Sequence, residues 1–358
     1  MIDFATVEER ARLLDPAGNS VEQSIEHRTD PLTGAVASIN AALSEKAKAF
    51  LLGGGDVQLL GKYQEETAKA CPFCDVAAKG TRFPRDVVEE GQLRIGRSTA
   101  VPNLFSKMAF DCVAIVDPGR HVLFPSQLAE EALADAIRVS RELLGRARSR
   151  DPRLVHHVVG MNFLPPGGSS MPHPHFQMHA RTVPYSGIAR LLALSAAFRE
   201  RTGRNYWEEL LEREKQVGAR YVGSTGRVEW MAPWAPTSQR EIWGLLPGAG
   251  SLLESSDADA RGFAAGILRV VSLYEEEGGH AFTFAFFSSP QPGAGDRFSL
   301  HLRICSRPPF RAMFSNYDTW FTPKFIGDDV HVSAPEQYAE QLRKRWTRTA
   351  TRTPWTGG

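Results

Sequence analysis

Two histidines, a glutamine and a third histidine occupy the alternate positions 173, 175, 177 and 179, directly behind the turn-forming run Pro165-Pro166-Gly167-Gly168-Ser169-Ser170. An extended strand repeats its side-chain direction every two residues, so His173, His175, Gln177 and His179 share one face if the segment is a strand. A neutral imidazole on such a face is a good nucleophile toward phosphorus near neutral pH, and its adduct stays labile enough to pass the group on. The preceding turn offers backbone N–H groups and hydroxyls to anionic oxygens.

The rest of the chain supplies strands for that segment to pair with. Period-two or continuously apolar stretches run at 111–116, 155–163, 173–181, 227–231, 240–246, 281–288 and 298–305, most of them bounded by Gly, Pro or Ser. Helical periodicity is clearest at 127–147, where Leu128, Ala132, Ile137, Leu143 and Leu144 approximate one apolar face and Ser126 is placed to cap the start. Further helices are predicted at 187–200, 206–216, 258–277 and 335–346. Runs of strands with helices inserted between them, without strict alternation, predict an α+β fold with mainly antiparallel sheets and flanking helices. The polar stretch around 196–220 is the natural division, giving a first half at 23–200 and a second at 201–346. Residues 1–22 and the tail 347–358 read as weakly ordered.

At 358 residues and 42% hydrophobic content the chain is long enough for two domain-sized units. No apolar run reaches the roughly 20 residues of a membrane span, and the charged N-terminus is not built as a signal peptide, so a cytoplasmic location is expected. Forty-two basic against 41 acidic residues, with no long basic block, argue against a nucleic-acid binder and a membrane anchor. Any phosphate recognition must be local. Four cysteines do not make a disulfide framework. Cys112 and Cys305 sit in apolar runs as small buried residues, whereas Cys71-Pro72-Phe73-Cys74 can be a redox pair, two buried thiols or half of a tetrahedral metal site needing two more ligands.

Five segments in order resemble the galactose-1-phosphate uridylyltransferases, the transferase branch of the histidine triad superfamily. They are His27-Arg28-Thr29-Asp30-Pro31-Leu32-Thr33-Gly34, Cys71-Pro72-Phe73-Cys74, Val101-Pro102-Asn103-Leu104-Phe105, the Gly167–Gln177 string and Ser299-Leu300-His301-Leu302-Arg303. The resemblance covers about residues 24 to 345 and implies two histidine-triad-like halves, the first catalytic and the second degenerate with His301 as its remnant, in a homodimer. It implies that Cys71, Cys74, His121 and His173 hold one structural zinc ion, with His121 the loosest match and His156 or His157 as substitutes. It makes His175 the nucleophile, Gln177 the group that preserves a nucleotidyl-histidine, and Ser170 and Gly168 phosphate contacts. Asn162 falls near the sugar phosphate, Asn103 and Phe105 near the ribose and base, and Arg28 at phosphate, across a dimer interface in relatives. For Asn103 and Phe105 the plain alternative is a turn asparagine and a core phenylalanine.

The implied activity is transfer of a nucleoside monophosphate, UMP first, between a nucleotide sugar and a sugar 1-phosphate. A nucleotide-sugar or dinucleotide phosphorylase or hydrolase of the same superfamily, and a non-catalytic zinc-stabilised nucleotide-binding protein, are the alternatives. The chain departs from relatives that carry a second metal site: 187–194 contains no carboxylate, and the late strand reads His301-Leu302-Arg303 in place of two alternating histidines. The segment Met313-Phe314-Ser315-Asn316-Tyr317-Asp318 matches the hexose-phosphate contacts only loosely, which leaves inorganic phosphate as an acceptor.

Overall fold

The computed structural model describes residues 2–43, 54–313 and 320–346. The tail 347–358 and positions 314–318 of the loosely matching segment lie outside the described residues.

Ten strands form one continuous sheet. In chain order they are β4 (Leu93–Ile95), β5 (Ser98–Pro102), β6 (Phe110–Ile115), β7 (His156–Phe163), β8 (His175–Arg181), β9 (Tyr221–Thr225), β10 (Val228–Met231), β11 (Ile242–Leu246), β12 (Phe282–Phe287) and β13 (Leu300–Ser306). Their spatial order is β4-β5-β6-β8-β7-β12-β13-β11-β10-β9, so the first five strands and the last five mirror each other about the β7–β12 pair. In each half three strands are followed by a long helix and two more strands. The helices are α3 (Glu130–Arg150) and α6 (Asp257–Glu276), which come after α1 (Val57–Ala68) and the short α2 (Val76–Lys79). Every pairing within this sheet is antiparallel.

Alternation decides what each face carries. Phe176 and Met178 of β8, Leu302 and Ile304 of β13, and Phe284 and Phe286 of β12 join the apolar faces of α3 and α6 in one core. Burying side chains of this size contributes roughly 1.5–3 kcal/mol each. His175, Gln177, His301 and Arg303 therefore stand on the opposite, open face. In the second half that face is covered by α4 (Ser186–Thr202) and α5 (Tyr206–Val217), whose Leu191, Phe198, Tyr206, Trp207, Leu210 and Leu211 pack with Met231, Trp243, Leu245 and Phe298. In the first half only a small cluster of Val76, Val101, Val113 and Ile115 with Phe73 lies there.

A second sheet of four strands joins β1 (Thr6–Leu14), β2 (Ser20–Thr29), β3 (Val36–Ile39) and β14 (Asp329–His331), the last pair being parallel. Within 1–22, Thr6–Leu14 and the start of β2 dock as strands of this sheet. The β1–β2 hairpin is held by a nine-residue ladder, by the pairs of Arg10 and Arg12 with Glu22 and by a His27–Glu9 contact, and it leaves Val7, Leu13 and Leu14 exposed. Such a ribbon has no apolar alternation for a reader of sequence to find. The helix expected from 127 begins at Glu130, and Ser126 bonds Glu275 instead of capping it. The C-terminal helix α7 (Pro335–Trp346) starts with proline, as its fixed φ favours.

Candidate active site and metal centre

Four side chains from three separate segments converge beside the start of β8. One ligand atom from each of Cys71, Cys74, His121 and His173 lies within 4.8 Å of every other. His173 Nδ1 is 3.5 Å from both sulfurs and 3.2 Å from His121 Nδ1, which is itself 3.5 Å from Cys74 Sγ. A tetrahedral ion with metal–sulfur bonds near 2.3 Å and metal–nitrogen bonds near 2.05 Å requires S···N edges of about 3.5 Å and an N···N edge of about 3.3 Å. The observed separations have those dimensions, so the cluster fits a metal ion. Both imidazoles direct Nδ1 inward because Nε2 is held outside: His173 Nε2 donates to Asp117 O at 3.1 Å and His121 Nε2 bonds Thr67 Oγ1 at 2.9 Å. Burial pushes the His173 pKa down to about 4, leaving the neutral ring that a metal ligand must be. His156 and His157 lie on β7 away from this cluster, and His157 is bonded to Val155 O and Ser288 Oγ.

The backbone of His173, a member of this cluster, positions His175. His173 O accepts from His175 Nδ1 at 2.8 Å, which fixes the tautomer and leaves the lone pair on Nε2. Burial lowers the His175 pKa, and the Lys107 charge lowers it further, so the ring is uncharged near neutral pH. The Phe73 ring meets it edge-on, centroids 5.2 Å apart. Gln177 follows on the same face, opposite Val113 of β6 and Gly160 of β7.

The Pro-Gly turn closes the site. Leu164 takes the left-handed φ of 66°, rare and costly for a branched residue. Its carbonyl accepts from both Gly167 and Ser169 N–H groups, and the turn is tied to β12 by Thr283 Oγ1 donating to Gly167 O at 3.0 Å. Gly168, with φ 89°, sits beside the amide of Asn162, 3.7 Å from where a β-carbon would stand. Asn162 and Gly168 therefore come together, and Ser170 is exposed.

Other expected residues are held by partners of their own or stand exposed. Asn103 is tied into a turn by Asp111, to which its side chain donates at 3.1 Å, and it accepts from the Phe105 N–H. Phe105 is 81% exposed, which removes the core alternative for it. Arg28 is buried away from His175. Its guanidinium donates to both oxygens of Glu26 and of Glu336 at 2.9–3.1 Å and lies 4.1 Å over the Trp234 ring, so its donors are spent within the chain. Lys107 was not singled out by sequence. It follows the Val101–Phe105 segment, and its charge acts on both His175 and His179.

His301 repeats the His175 geometry in the second half. Its Nδ1 donates to Ser299 O at 2.9 Å, two residues back, as His175 does to His173 O. Its ring, however, is sandwiched between Trp207 at 4.2 Å and Phe287 at 5.0 Å, fully buried, with Nε2 unpartnered.

No family model matches the chain. An uncharacterized protein of Archaeoglobus fulgidus is 30% identical over 349 residues, covering 97% of this chain and 99% of that one. Among solved structures, a galT-like protein from Arabidopsis thaliana superposes with a TM-score of 0.66 at 17% identity, covering 90% of this chain and 99% of its own. An ADP-glucose phosphorylase from Arabidopsis thaliana with bound ADP-glucose gives a TM-score of 0.66 at 16% identity, covering 89% and 99%. A uridylyltransferase gives 0.61 at 14% identity, covering 70% and 85%. No described helix is long and apolar enough to cross a membrane. The chain belongs to one family with the Archaeoglobus protein, a family with the galactose-1-phosphate uridylyltransferase-like fold.

Proposed function

We propose that this protein is a nucleotidyltransferase that carries a nucleoside monophosphate, UMP in the first instance, from a nucleotide sugar to a sugar 1-phosphate on His175. The observation that carries the reading is the His173 O···His175 Nδ1 bond, which leaves an uncharged ring with its lone pair on Nε2 beside a glycine turn. In the first step Nε2 attacks the α-phosphorus, a P–N bond forms, and the P–O bond to the departing sugar 1-phosphate breaks. In the second, a phosphate oxygen of the acceptor attacks, the P–N bond breaks and its electron pair returns to Nε2.

Gln177 donates to a non-bridging oxygen and, being unable to act as a base, leaves the adduct for the acceptor instead of water. Ser170, Gly168 and Asn162 hold the phosphates, and Asn103 with Phe105 receives the nucleoside. Zinc is the ion that the N2S2 donor set fits best, bound by Cys71, Cys74, His121 and His173. When bound it supplies rigidity to the chain carrying His175. We read 23–200 as the catalytic half, 201–346 as its degenerate copy, and the assembly as a cytoplasmic homodimer.

A second reading has inorganic phosphate as the acceptor. It is favoured by the likeness to the ADP-glucose phosphorylase and by the loose match at 313–318. Intact-mass spectrometry after incubation with UDP-, GDP-, ADP- and CDP-glucose should show one nucleoside monophosphate added to the wild type and none to His175→Gly. An undiminished adduct on that variant overturns the assignment, and discharge by glucose 1-phosphate or by inorganic phosphate separates the two readings.

A further inference from the structure

The second half keeps a pocket, on the sheet face covered by α4 and α5, that the proposed function does not use. Its volume is about 290 Å³, and its walls include Tyr206, Trp207, Trp243, Phe287 and Arg303, with Arg190 at the rim. That volume lies at the low end for small-molecule sites and accommodates one six-membered ring with a charged substituent. The sheet register puts Arg303 opposite Ala285, Ala285 opposite Gly160, and Gly160 opposite Gln177. Arg303 thus occupies the place of Gln177 in the mirrored half, three strand spacings or about 14 Å away.

The pocket sets Arg303 and Arg190 against the carboxylate of Asp30, and two of its donors lack partners among the described residues. The Arg303 guanidinium is stacked between the Trp243 ring at 4.2 Å and the Phe287 ring at 4.5 Å. Its Nε is buried with no acceptor among the described residues. Tyr206 is 1% exposed, and its hydroxyl is likewise buried without a partner. The nearby carboxylates are committed elsewhere: Glu241 accepts from the Thr237 N–H and hydroxyl and from Trp243 Nε1, while Asp30 Oδ1 accepts from the Leu32 and Thr33 N–H groups and the Thr33 hydroxyl. A buried guanidinium Nε and a buried phenol hydroxyl with no partner among the described residues are unusual, since each unmet donor carries its desolvation cost. Stacking leaves the in-plane N–H groups of a guanidinium available to an oxyanion.

We propose that this second-half pocket binds a small ring-bearing oxyanion, a phosphate monoester or a carboxylate, with the anion on Arg303 and Tyr206 and the ring against the pocket's apolar wall, which includes Leu32 and Ala235. The site is separate from His175 and stands whether or not His175 forms an adduct. Isothermal titration of the full chain with phenyl phosphate, benzoate and inorganic phosphate tests it. Phenyl phosphate or benzoate should bind once per chain in the wild type and equally in His175→Gly, at least tenfold more weakly in Arg303→Met, and several-fold more weakly in Tyr206→Phe. The tighter of those two probes names the anion. Equal affinity in Arg303→Met, loss of binding in His175→Gly, inorganic phosphate binding as tightly as phenyl phosphate, or no binding of any probe up to about 10 mM would each overturn the proposal. Should Arg303→Met fail to fold, Arg303→Lys and Tyr206→Phe are read instead, and unchanged binding in both overturns it.

Discussion

Replacing Arg28 with methionine should unfold the protein more easily without touching the chemistry at His175. The guanidinium is 7% exposed and forms two-pronged contacts with Glu26 and Glu336, carboxylates 30% and 29% exposed. Glu336 also accepts from Arg220 at 2.7 Å, and Arg220 pairs with the fully buried Glu214, so one chain of charges ties β2 and the start of α7 to the loop after α5. At an effective dielectric of about 20, one charge pair at this range is worth roughly 6 kcal/mol gross. Desolvating the guanidinium opposes most of that, and the freed carboxylates regain water on their exposed sides. Methionine keeps the stem and part of the contact with Trp234, leaving a net loss of about 2–3 kcal/mol. Urea unfolding followed by tryptophan fluorescence should show a lower midpoint with an unchanged slope. Adduct formation per folded molecule should stay at the wild-type level. Wild-type stability with impaired adduct formation would refute the reasoning and return Arg28 to the substrate.

Two more outcomes follow from the buried imidazoles and the metal cluster. Purified protein should carry one metal ion per chain by elemental analysis, and Cys71→Ser should lose it and melt at least 5–10 °C lower, because site formation and folding are linked; retention of a full metal complement would point to different ligands. Burial holds His157 and His331 down to about 4, against 6.5 for an exposed ring. A depressed pKa means that the unfolded chain binds the extra proton. Stability from these two groups is therefore complete above about pH 6.5 and is lost progressively as pH falls toward 4, by up to about 3 kcal/mol per group. Denaturant titrations at pH 7 and pH 5 should show the loss, and His157→Gln should reduce it; an identical pH slope in that variant would exclude His157 as a source.

The sequence carried the large sheet well, since each of its long strands is apolar on the side that meets α3 or α6. It also carried the alternation that puts His173 and His175 on one face, because two residues per repeat is a local property. Convergence of Cys71, Cys74 and His121 on His173 is not local: the segments lie 47 to 102 residues apart in pairing terms, and only a resemblance brought them together. The N-terminal ribbon escaped notice because charge pairs, not apolar periodicity, hold it. The partner of Arg28 is equally non-local: Glu336, which pairs with it, lies 308 residues away.

The β7–β12 pairing has a consequence for how such a chain can be divided. Were the polypeptide severed at Gly203, between the two helices that link the halves, each fragment would end in a naked central strand, Gly160 and Phe163 on one side, Phe282 and Ala285 on the other. Those strands alternate buried apolar side chains, Val159, Met161 and Phe163 on one and Phe282, Phe284 and Phe286 on the other, with less buried positions, and are adhesive edges when unpaired. The repeated halves are therefore not modules to be shuffled or expressed apart; each is the other's missing neighbour.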